Sequence, residues 1–376
     1  MSRPVVFVLC CVLLASPVFA EADPSADDMA RRIFRPPMPK NTLIGIVVGT
    51  LVDGKKTIRT YGNAKFDGDT VFEIGSVSKV FTSLALATLV DEGAVKLSDP
   101  IQKYLPPGVS APSKIGKEIR LVHLATHTAG LPRLPPNMTR LRLLFQSSDP
   151  YASFTADQLY EAVRKTTLHA EPGTHCVYSN YGVGLLGHLL TRVAKTDYES
   201  LIKQRICKPL GMSDTVLRLT DQTRSRLAPG HSALGIRTSN WGFDALAGCG
   251  AIRSTANDLL LFLDECISPA NKKLAKPIES TLVKRHKMPP GDTEIGLGWI
   301  LTNLADVDMC WHNGGTGGYA SFVGMVRPAR IGVVILCNAG LYGQITQMGF
   351  KRVLELIQNA CHGPVVGRDK PSCNGK

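Results

Sequence analysis

Apolar and β-branched runs are concentrated at the two ends of the chain, and this distribution constrains the fold more than any other feature. Near the N-terminus, Leu43–Val52 and Thr57–Tyr61 flank Asp53-Gly54, a dipeptide typical of a β-hairpin turn. Near the C-terminus, three further strands are predicted over Met309–His312, Tyr319–Met325 and Ile331–Cys337. We therefore predict one sheet that is built from both ends of the chain.

The middle of the chain is rich in proline and carries helical segments. Helices are predicted over Thr155–Lys165, Tyr181–Ala194 and Asp197–Ile206, and a last helix over Gln344–Ala360. The predicted fold class is α/β (α+β), with an antiparallel sheet from both termini, flanking helices and a mostly helical insert. Residues 21–98 and 293–376 would form the sheet domain, and residues 99–292 the helical domain.

The N-terminus has the features of a secretory signal peptide. Arg3 precedes the apolar run Val5–Leu14, and Val18-Phe19-Ala20 fits a small-residue cleavage site. We expect residues 1–20 to be removed and the protein to be exported, to the periplasm or the medium. The run is too short to span a bilayer and no later segment is apolar enough, so no stable membrane anchor is expected.

The cysteines do not indicate a metal or redox site. Two of the ten, Cys10 and Cys11, lie in the predicted leader, and the other eight form no C-x-x-C pair. Cys361 and Cys373 flank a polar tail and are the candidates for a disulfide, since an exported chain can be oxidised. The others can remain as buried thiols.

The formal net charge of +12 favours anionic partners such as cell-wall polymers. The basic residues are scattered, and no aromatic-basic motif of a nucleic-acid-binding module is present. A solubilising surface charge is the simplest interpretation, and we expect no nucleic-acid partner. The oligomeric state is not indicated.

Ser76-Val77-Ser78-Lys79 opens an apolar stretch that ends at Asp91-Glu92-Gly93. On a helix, Ser76 and Lys79 share one face, and a neutral lysine there could take the serine proton. Gly75 allows a tight strand-to-helix turn before the serine. A plain helix cap is the alternative, and Ser200-Leu201-Ile202-Lys203 matches the same pattern in an ordinary amphipathic segment.

Two later motifs complete a possible active site. The first is Tyr178-Ser179-Asn180, and the second is His312-Asn313-Gly314 followed by Gly315. Each is weak alone, because Tyr61-Gly62-Asn63 also fits the first pattern and His312 could be an ordinary strand residue. The order of the three motifs along the chain is the informative feature.

This ordered set resembles the penicillin-recognising serine hydrolases with a tyrosine base, namely class C β-lactamases and related D-Ala-D-Ala carboxypeptidases. The resemblance covers nearly the whole mature chain and includes His123–Pro132 and Pro209–Met212. It implies that the active site lies in the cleft between the two predicted domains. It also implies that Ser76 is the acylated nucleophile and that Lys79 is the partner that allows the serine hydroxyl to lose its proton.

The resemblance also assigns roles to the second motif. Tyr178 would relay protons, and Asn180 would hold Lys79 and a substrate carbonyl. A phenol titrates near ~10, so a tyrosine base needs nearby cations. Lys79 and a protonated His312 are expected to supply them.

The third motif would form the substrate-binding strand, with His312, Asn313, Gly314 and Gly315 beside the substrate. The backbone N–H groups of Ser76 and Gly315 would form the oxyanion hole. Class C enzymes usually carry Lys-Thr-Gly here, and histidine is only partly charged near neutrality. We therefore expect weaker carboxylate binding, which declines further from pH 6 to pH 8.

The resemblance predicts a serine hydrolase that opens the amide bond of β-lactams. The alternatives are a D-Ala-D-Ala carboxypeptidase or endopeptidase of peptidoglycan, a related esterase, or a catalytically inactive cell-wall binding module. The expected partner is a small β-lactam or a peptidoglycan peptide ending in D-Ala.

Other chemistries fit the sequence less well. The G-x-S-x-G elbow of α/β-hydrolases is absent, and so is the Ser-Asp-Asn motif of class A β-lactamases. No cofactor or metal is expected, because no glutamate follows His123 in its i, i+4 pair with His127. Gly182–Gly187 matches G-x-G-x-x-G but follows no buried strand, and it predicts close helix packing instead.

Overall fold

The computed structural model of the 376-residue chain describes residues 25–33, 43–138, 149–289 and 291–362. The predicted leader, residues 1–20, lies outside them, as do Cys373 and the side chain of Cys361. The leader and the Cys361–Cys373 bridge therefore stay predictions. No helix in the described ranges is long and apolar enough to cross a membrane.

The described residues contain one large antiparallel sheet of eight strands, in the order β2-β1-β12-β11-β10-β9-β8-β7, and two small two-stranded pairs, β3-β6 and β4-β5. The strands are β1 (Gly45–Val52), β2 (Lys55–Gly62), β3 (Phe72–Glu73), β4 (Ser113–Lys114), β5 (Lys117–Glu118), β6 (Arg253–Ser254), β7 (His286–Lys287), β8 (Glu294–Ile295), β9 (Ile300–Leu304), β10 (Val307–Gly315), β11 (Ala320–Val326) and β12 (Ile331–Cys337).

Helices flank this sheet and fill the middle of the chain. They are α1 (Ala26–Ile33), α2 (Ser78–Asp91), α3 (Leu121–Ala125), α4 (Ala156–Lys165), α5 (Asn180–Ala194), α6 (Tyr198–Ile202), α7 (Lys208–Leu210), α8 (Asp221–Ser225), α9 (Ala256–Ile267), α10 (Lys272–Leu282) and α11 (Tyr342–His362). A π-helical turn, Lys203–Cys207, joins α6 to α7, and short 3₁₀ turns lie at Gly75–Val77, Ile101–Tyr104 and Ala247–Cys249.

The structure confirms the predicted fold class. Strand β1 pairs with β2 from its own end of the chain and with β12 from the other end. The turn between β1 and β2 has positive φ at both Asp53 and Gly54 (49° and 80°), which is the backbone that an Asp-Gly hairpin turn requires. The three strands predicted near the C-terminus correspond to β10, β11 and β12.

Alternate residues of the central strands pack into two hydrophobic cores, one on each face of the sheet. On β12, Val334 and Leu336 pack with α2 and α9, whereas Val333 and Ile335 pack with α1 and α11. Successive side chains of a strand point to opposite faces. The strand is consequently apolar at every position because both faces are covered.

The close packing predicted for Gly182–Gly187 is confirmed in helix α5. A Cβ on Gly187 would lie 2.8 Å from the Cα of Gly248, and one on Gly184 would lie 2.5 Å from a methyl carbon of Leu246. These glycines let the 3₁₀ turn Ala247–Cys249 rest directly on α5. The same turn also packs against α2, so it holds the two helices together.

Candidate active site

Ser76 lies in a strained turn directly after strand β3. Gly75 has a φ of +50°, and a Cβ there would lie 2.4 Å from the backbone nitrogen of Gly315. The sequence predicts Ser76 at a helix start, and the structure places it in the 3₁₀ turn Gly75–Val77, just before α2 begins at Ser78. From residue 70 to residue 89 every side chain is buried except that of Ser76, which is partly exposed.

Lys79 is fully buried and points at the serine. Its Nζ donates to Ser76 Oγ at 3.0 Å and to the backbone carbonyl of Cys249 at 2.7 Å. A buried amine needs such partners, because an unpaired charge in the interior is costly. The carbonyl of Cys249 therefore fixes the lysine against the serine.

The segment that follows Cys249 also holds the turn. The backbone nitrogen of Ile252 donates to Ser78 Oγ at 3.1 Å, and that of Ile74 donates to the Ile252 carbonyl at 3.1 Å. Thr82 Oγ1 donates to the Gly248 carbonyl at 2.7 Å one turn further along α2. The position of Ser76 is thus set by a chain segment about 170 residues away.

The end of β10 runs along the serine turn at backbone contact. A Cβ on Gly314 would lie 2.0 Å from the Ile74 carbonyl oxygen and 3.0 Å from the Ser76 nitrogen. On the other face, a Cβ on Gly315 would meet the ring of Tyr342 at 2.0 Å. Only glycine allows this approach, so the strand can present its backbone beside Ser76.

His312 lies on the same face of β10 as Gly314, near the tyrosine of the second motif. The ring is buried, and its Nδ1 donates to the Asn313 carbonyl at 2.5 Å, which leaves Nε2 as an acceptor. Burial, and then the nearby Lys79 charge, lower the pKa of His312 to about 3. This pKa leaves the ring neutral at pH 6 to 8, which disfavours the expected protonated His312, and carboxylate binding by His312 stays a prediction.

Tyr178 is half-buried between several rings and cations. Lys79 Nζ lies 4.8 Å from its ring centroid, and the guanidinium carbon of Arg133 lies 5.2 Å from it. The ring of His127 lies 4.5 Å away and that of His312 6.3 Å away. The two cations at the phenol are therefore Lys79 and Arg133, not Lys79 and His312.

His127 is hydrogen-bonded to the backbone of the segment that carries Tyr178. It adopts a positive φ of 58°, and its Nδ1 accepts a hydrogen bond from the Ser179 backbone at 3.2 Å. Burial and the charge of Lys79 hold the pKa of His127 well below its usual range. His127 is thus a neutral structural ring.

The Asn180 amide is oriented differently from the expectation. Its Nδ2 donates to the Tyr151 hydroxyl at 2.9 Å, and its buried Oδ1 has no hydrogen-bond partner. Lys79 therefore binds the Cys249 carbonyl in place of this amide. Asn313 is also placed differently, because its Nδ2 donates to Thr346 of α11 at 2.9 Å on the far face of β10.

Three residues that contact site groups were not predicted from the sequence: Arg133 at Tyr178, Cys249 at Lys79 and Tyr151 at Asn180. Cys249 contributes only a backbone carbonyl, which has no sequence signature. Tyr151 stacks on Phe243 at 4.7 Å, and neither residue belongs to a recognisable motif. Arg133 directly follows the family-like segment His123–Pro132, and this position was its one available signal.

Within the described ranges, no group of three or more His, Cys, Asp or Glu side chains could hold a metal ion.

Comparison with known proteins identifies the family. The family model described as Beta-lactamase matches residues 30–356. The chain belongs to the Beta-lactamase family. The match includes the serine turn, the Tyr178 segment and the end of β10, so the whole candidate site lies within the residues that the family model matches.

The similar proteins include two types of enzyme. A D-alanyl-D-alanine-carboxypeptidase/endopeptidase, AmpH, from Escherichia coli K12 is 29% identical over 307 residues, covering 76% of this chain and 77% of the relative. A Beta-lactamase from Pseudomonas fluorescens is 29% identical over 345 residues, covering 81% and 90%. Both relatives agree with the family match, which shows a serine hydrolase of the β-lactamase type.

A solved structure shares the fold. The Beta-Lactamase/D-Alanine Carboxypeptidase from Pseudomonas syringae superposes with a TM-score of 0.74 at 22% identity, over 90% of this chain and 99% of the other. At this identity the similarity concerns the fold alone. It agrees with the large antiparallel sheet and its flanking helices.

Proposed function

We propose that this protein is a serine hydrolase that hydrolyses the amide bond of β-lactams through an acyl-enzyme on Ser76. The observation that carries the proposal is the hydrogen bond of 3.0 Å from buried Lys79 to Ser76 Oγ, in a turn where only Ser76 is exposed. A serine and a basic partner at this distance form an activated nucleophile. The active site lies in the cleft where β10 meets the helical part of the chain.

In the proposed reaction, Ser76 Oγ attacks the carbonyl carbon and the C–N bond of the amide breaks. Tyr178 receives the serine proton and passes it to the departing nitrogen. A water molecule then cleaves the ester and returns a proton to Ser76 Oγ, so the enzyme is regenerated. Lys79 Nζ and the guanidinium carbon of Arg133 lie 4.8 Å and 5.2 Å from the ring centroid of Tyr178, so both cations face the ring that relays the proton.

The backbone N–H groups of Ser76 and Gly315 are the proposed oxyanion donors. They lie at the contact between the serine turn and β10, which Gly75 and Gly314 keep close. One such donor typically contributes about 2.7–4 kcal/mol to transition-state binding. Asn180 Oδ1 is buried without a partner, and a substrate N–H would satisfy it.

A second candidate is a D-Ala-D-Ala carboxypeptidase or endopeptidase of peptidoglycan. The relative named AmpH has this activity in its name, and His312 replaces a permanently charged residue with a neutral one. Both reactions form an ester on Ser76, with a penicilloyl group from a penicillin or with a peptidyl-D-Ala group after release of D-Ala from a peptide. The two candidates differ in how fast water cleaves the penicilloyl ester.

The first test is covalent labelling of the protein by a penicillin. Ser76→Ala should abolish labelling and turnover because, in the described residues, Ser76 carries the one hydroxyl that Lys79 Nζ bonds. Ser200→Ala is the matched control, since Ser200 has the same S-x-x-K spacing but bonds Asp197 at 2.8 Å on helix α6. Intact-mass spectrometry reads the adduct. Labelling that survives in Ser76→Ala, or is lost in Ser200→Ala, would contradict the assignment.

The lifetime of the adduct then separates the two candidates. We expect the Ser76 adduct to form and to decay within seconds to minutes, with release of the opened penicillin. An adduct that persists while D-Ala is released from a peptide ending in D-Ala-D-Ala would favour the peptidase. A protein that binds peptidoglycan without acylation would support only a binding module.

A further inference from the structure

Both proposed substrates carry a carboxylate next to the scissile amide, but the expected binding group for it is not charged. His312 is buried and neutral, and its Nδ1 proton is already donated to the Asn313 carbonyl. Lys79 is fully buried and engaged by Ser76 and the Cys249 carbonyl. A carboxylate in the cleft therefore needs another cation.

Arg133 is positioned to be that cation. Its side chain is exposed, and its guanidinium lies 5.2 Å from the Tyr178 ring centroid. No carboxylate in the described part of the chain lies within ion-pair distance of it. An exposed arginine without an acidic partner keeps its full capacity for bidentate binding of a carboxylate.

The backbone of Arg133 is fixed to the catalytic segment, so the guanidinium is tethered close to the reacting groups. The Arg133 carbonyl accepts a hydrogen bond from the Tyr181 backbone at 3.1 Å, and the preceding Pro132 carbonyl accepts one from Ser179 Oγ at 2.7 Å. Both donors belong to the first turn of α5 or its cap, beside Tyr178 and Asn180.

We propose that Arg133 is the specificity-determining residue that binds the substrate carboxylate. The inference rests on the proposed acyl-enzyme function and adds the group that selects anionic over neutral acyl donors. Arg133 replaces the role that the sequence assigns to His312. The positive charge at this edge also draws anionic substrates towards Tyr178 and Ser76.

The test compares benzylpenicillin with its neutral methyl ester, which has the same β-lactam ring. Arg133→Gln should lower kcat/KM for benzylpenicillin by about tenfold to a hundredfold, the effect of losing one charge-assisted hydrogen-bond pair. The methyl ester should lose less, because it has no carboxylate to bind and shows only the effect of removing the Arg133 charge beside Tyr178, so the ratio of the two kcat/KM values is the readout. Arg133→Lys should give an intermediate loss, since lysine keeps the charge but not the bidentate geometry.

Arg237→Gln is the matched control, because Arg237 is another exposed arginine, close to Tyr319 at the start of β11. It should leave both substrates unchanged. An equal loss with both substrates in Arg133→Gln would overturn the proposal and make Arg133 a partner of Tyr178 alone. A selective loss in Arg237→Gln would move carboxylate binding to that residue.

The outcomes also separate this inference from the function on which it rests. If the wild-type protein is never acylated by benzylpenicillin or its ester, the proposed function fails and the inference fails with it. If Ser76 is acylated but Arg133→Gln changes kcat/KM for benzylpenicillin and for its methyl ester by the same factor, only the inference fails.

Discussion

The role of each side chain in the site depends more on the atoms that it contacts than on its residue type. Lys79 could be an ordinary helix lysine, but burial between Ser76 Oγ and the Cys249 carbonyl makes it part of the site. Ser200 and Lys203 have the same spacing on a helix where Ser200 bonds Asp197 and Lys203 pairs with Glu199. One spacing therefore gives two outcomes, which the surroundings decide.

Tyr178 provides the sharpest prediction at the scale of a single residue. Tyr178→Phe removes one hydroxyl and little volume, so kcat should fall by about 10²–10⁴-fold, the usual contribution of proton transfer. The measurement is kcat for penicillin hydrolysis, together with the thermal midpoint. An unchanged kcat would mean that the ring only packs against His127.

The matched control is Tyr61, the tyrosine of the other Y-x-N sequence. Its hydroxyl donates to Asp27 at 2.5 Å, far from the serine on strand β2. Tyr61→Phe should reduce stability by about 1.5–3 kcal/mol, the usual value of a hydrogen bond to a charged group, here the Asp27 carboxylate. Its kcat should remain that of the wild type.

At the scale of elements, the site depends on how closely β10 approaches the turn before α2. The two elements touch through backbone at Gly75, Gly314 and Gly315, and Ser321 Oγ of β11 donates to the Ile74 carbonyl at 2.8 Å. Tyr342, at the start of α11, donates its hydroxyl to the Thr316 carbonyl and covers the other side of the strand. The proposed oxyanion geometry thus depends on four packed elements: the serine turn, β10, β11 and α11.

Gly314→Ala should disturb this contact. The added methyl would lie 2.0 Å from the Ile74 carbonyl oxygen, so the strand or the turn must move. Overpacking of this kind typically costs about 1–3 kcal/mol. We expect a loss of stability of that size, measured by urea unfolding, together with a marked fall in kcat.

Gly343→Ala is the control for that experiment. Gly343 lies in helix α11, and a Cβ there has nothing within 4 Å. Alanine in a helix is favoured over glycine by about 0.5–1 kcal/mol, so this variant should be as stable as the wild type or more so. Equal effects of the two substitutions would show that the contact at Gly314 is not tight.

At the scale of the whole molecule, two buried neutral histidines, His127 and His312, make the folding stability depend on pH. Burial lowers the pKa of His312 to about 3 and that of His127 well below its usual value. In the unfolded chain both rings would titrate near ~6.5. Below that pH the unfolded chain binds more protons than the folded chain, so folding stability falls as the pH falls.

We therefore expect the free energy of unfolding to decrease between pH 6.5 and pH 4.5. Each buried neutral histidine contributes up to about 1 kcal/mol per pH unit in this window. Asp258 works in the opposite direction, because burial raises the pKa of its carboxyl to about 6. His312→Gln should flatten the pH dependence by the share of one histidine. Identical slopes for the variant and the wild type would contradict a neutral buried His312.

Local sequence patterns predicted five strands of the large sheet, at both ends of the chain, and the spacing of Ser76 and Lys79. These features are local, since alternation, helical periodicity and turn residues act over a few neighbouring positions. The Asp53-Gly54 turn and the buried helix α2 follow from such patterns. The family resemblance of the three ordered motifs also predicted that Ser76, Tyr178 and β10 belong to one site.

The charge state and the hydrogen-bond partners of the site groups depend on tertiary contacts. The neutral state of His312, the Cys249 carbonyl on Lys79, the Tyr151 hydroxyl on Asn180 and the guanidinium of Arg133 beside Tyr178 all come from contacts between distant segments. The physical reason is burial, which removes water from a group and makes its few remaining neighbours fix its pKa and orientation. Sequence spacing carries no record of those neighbours.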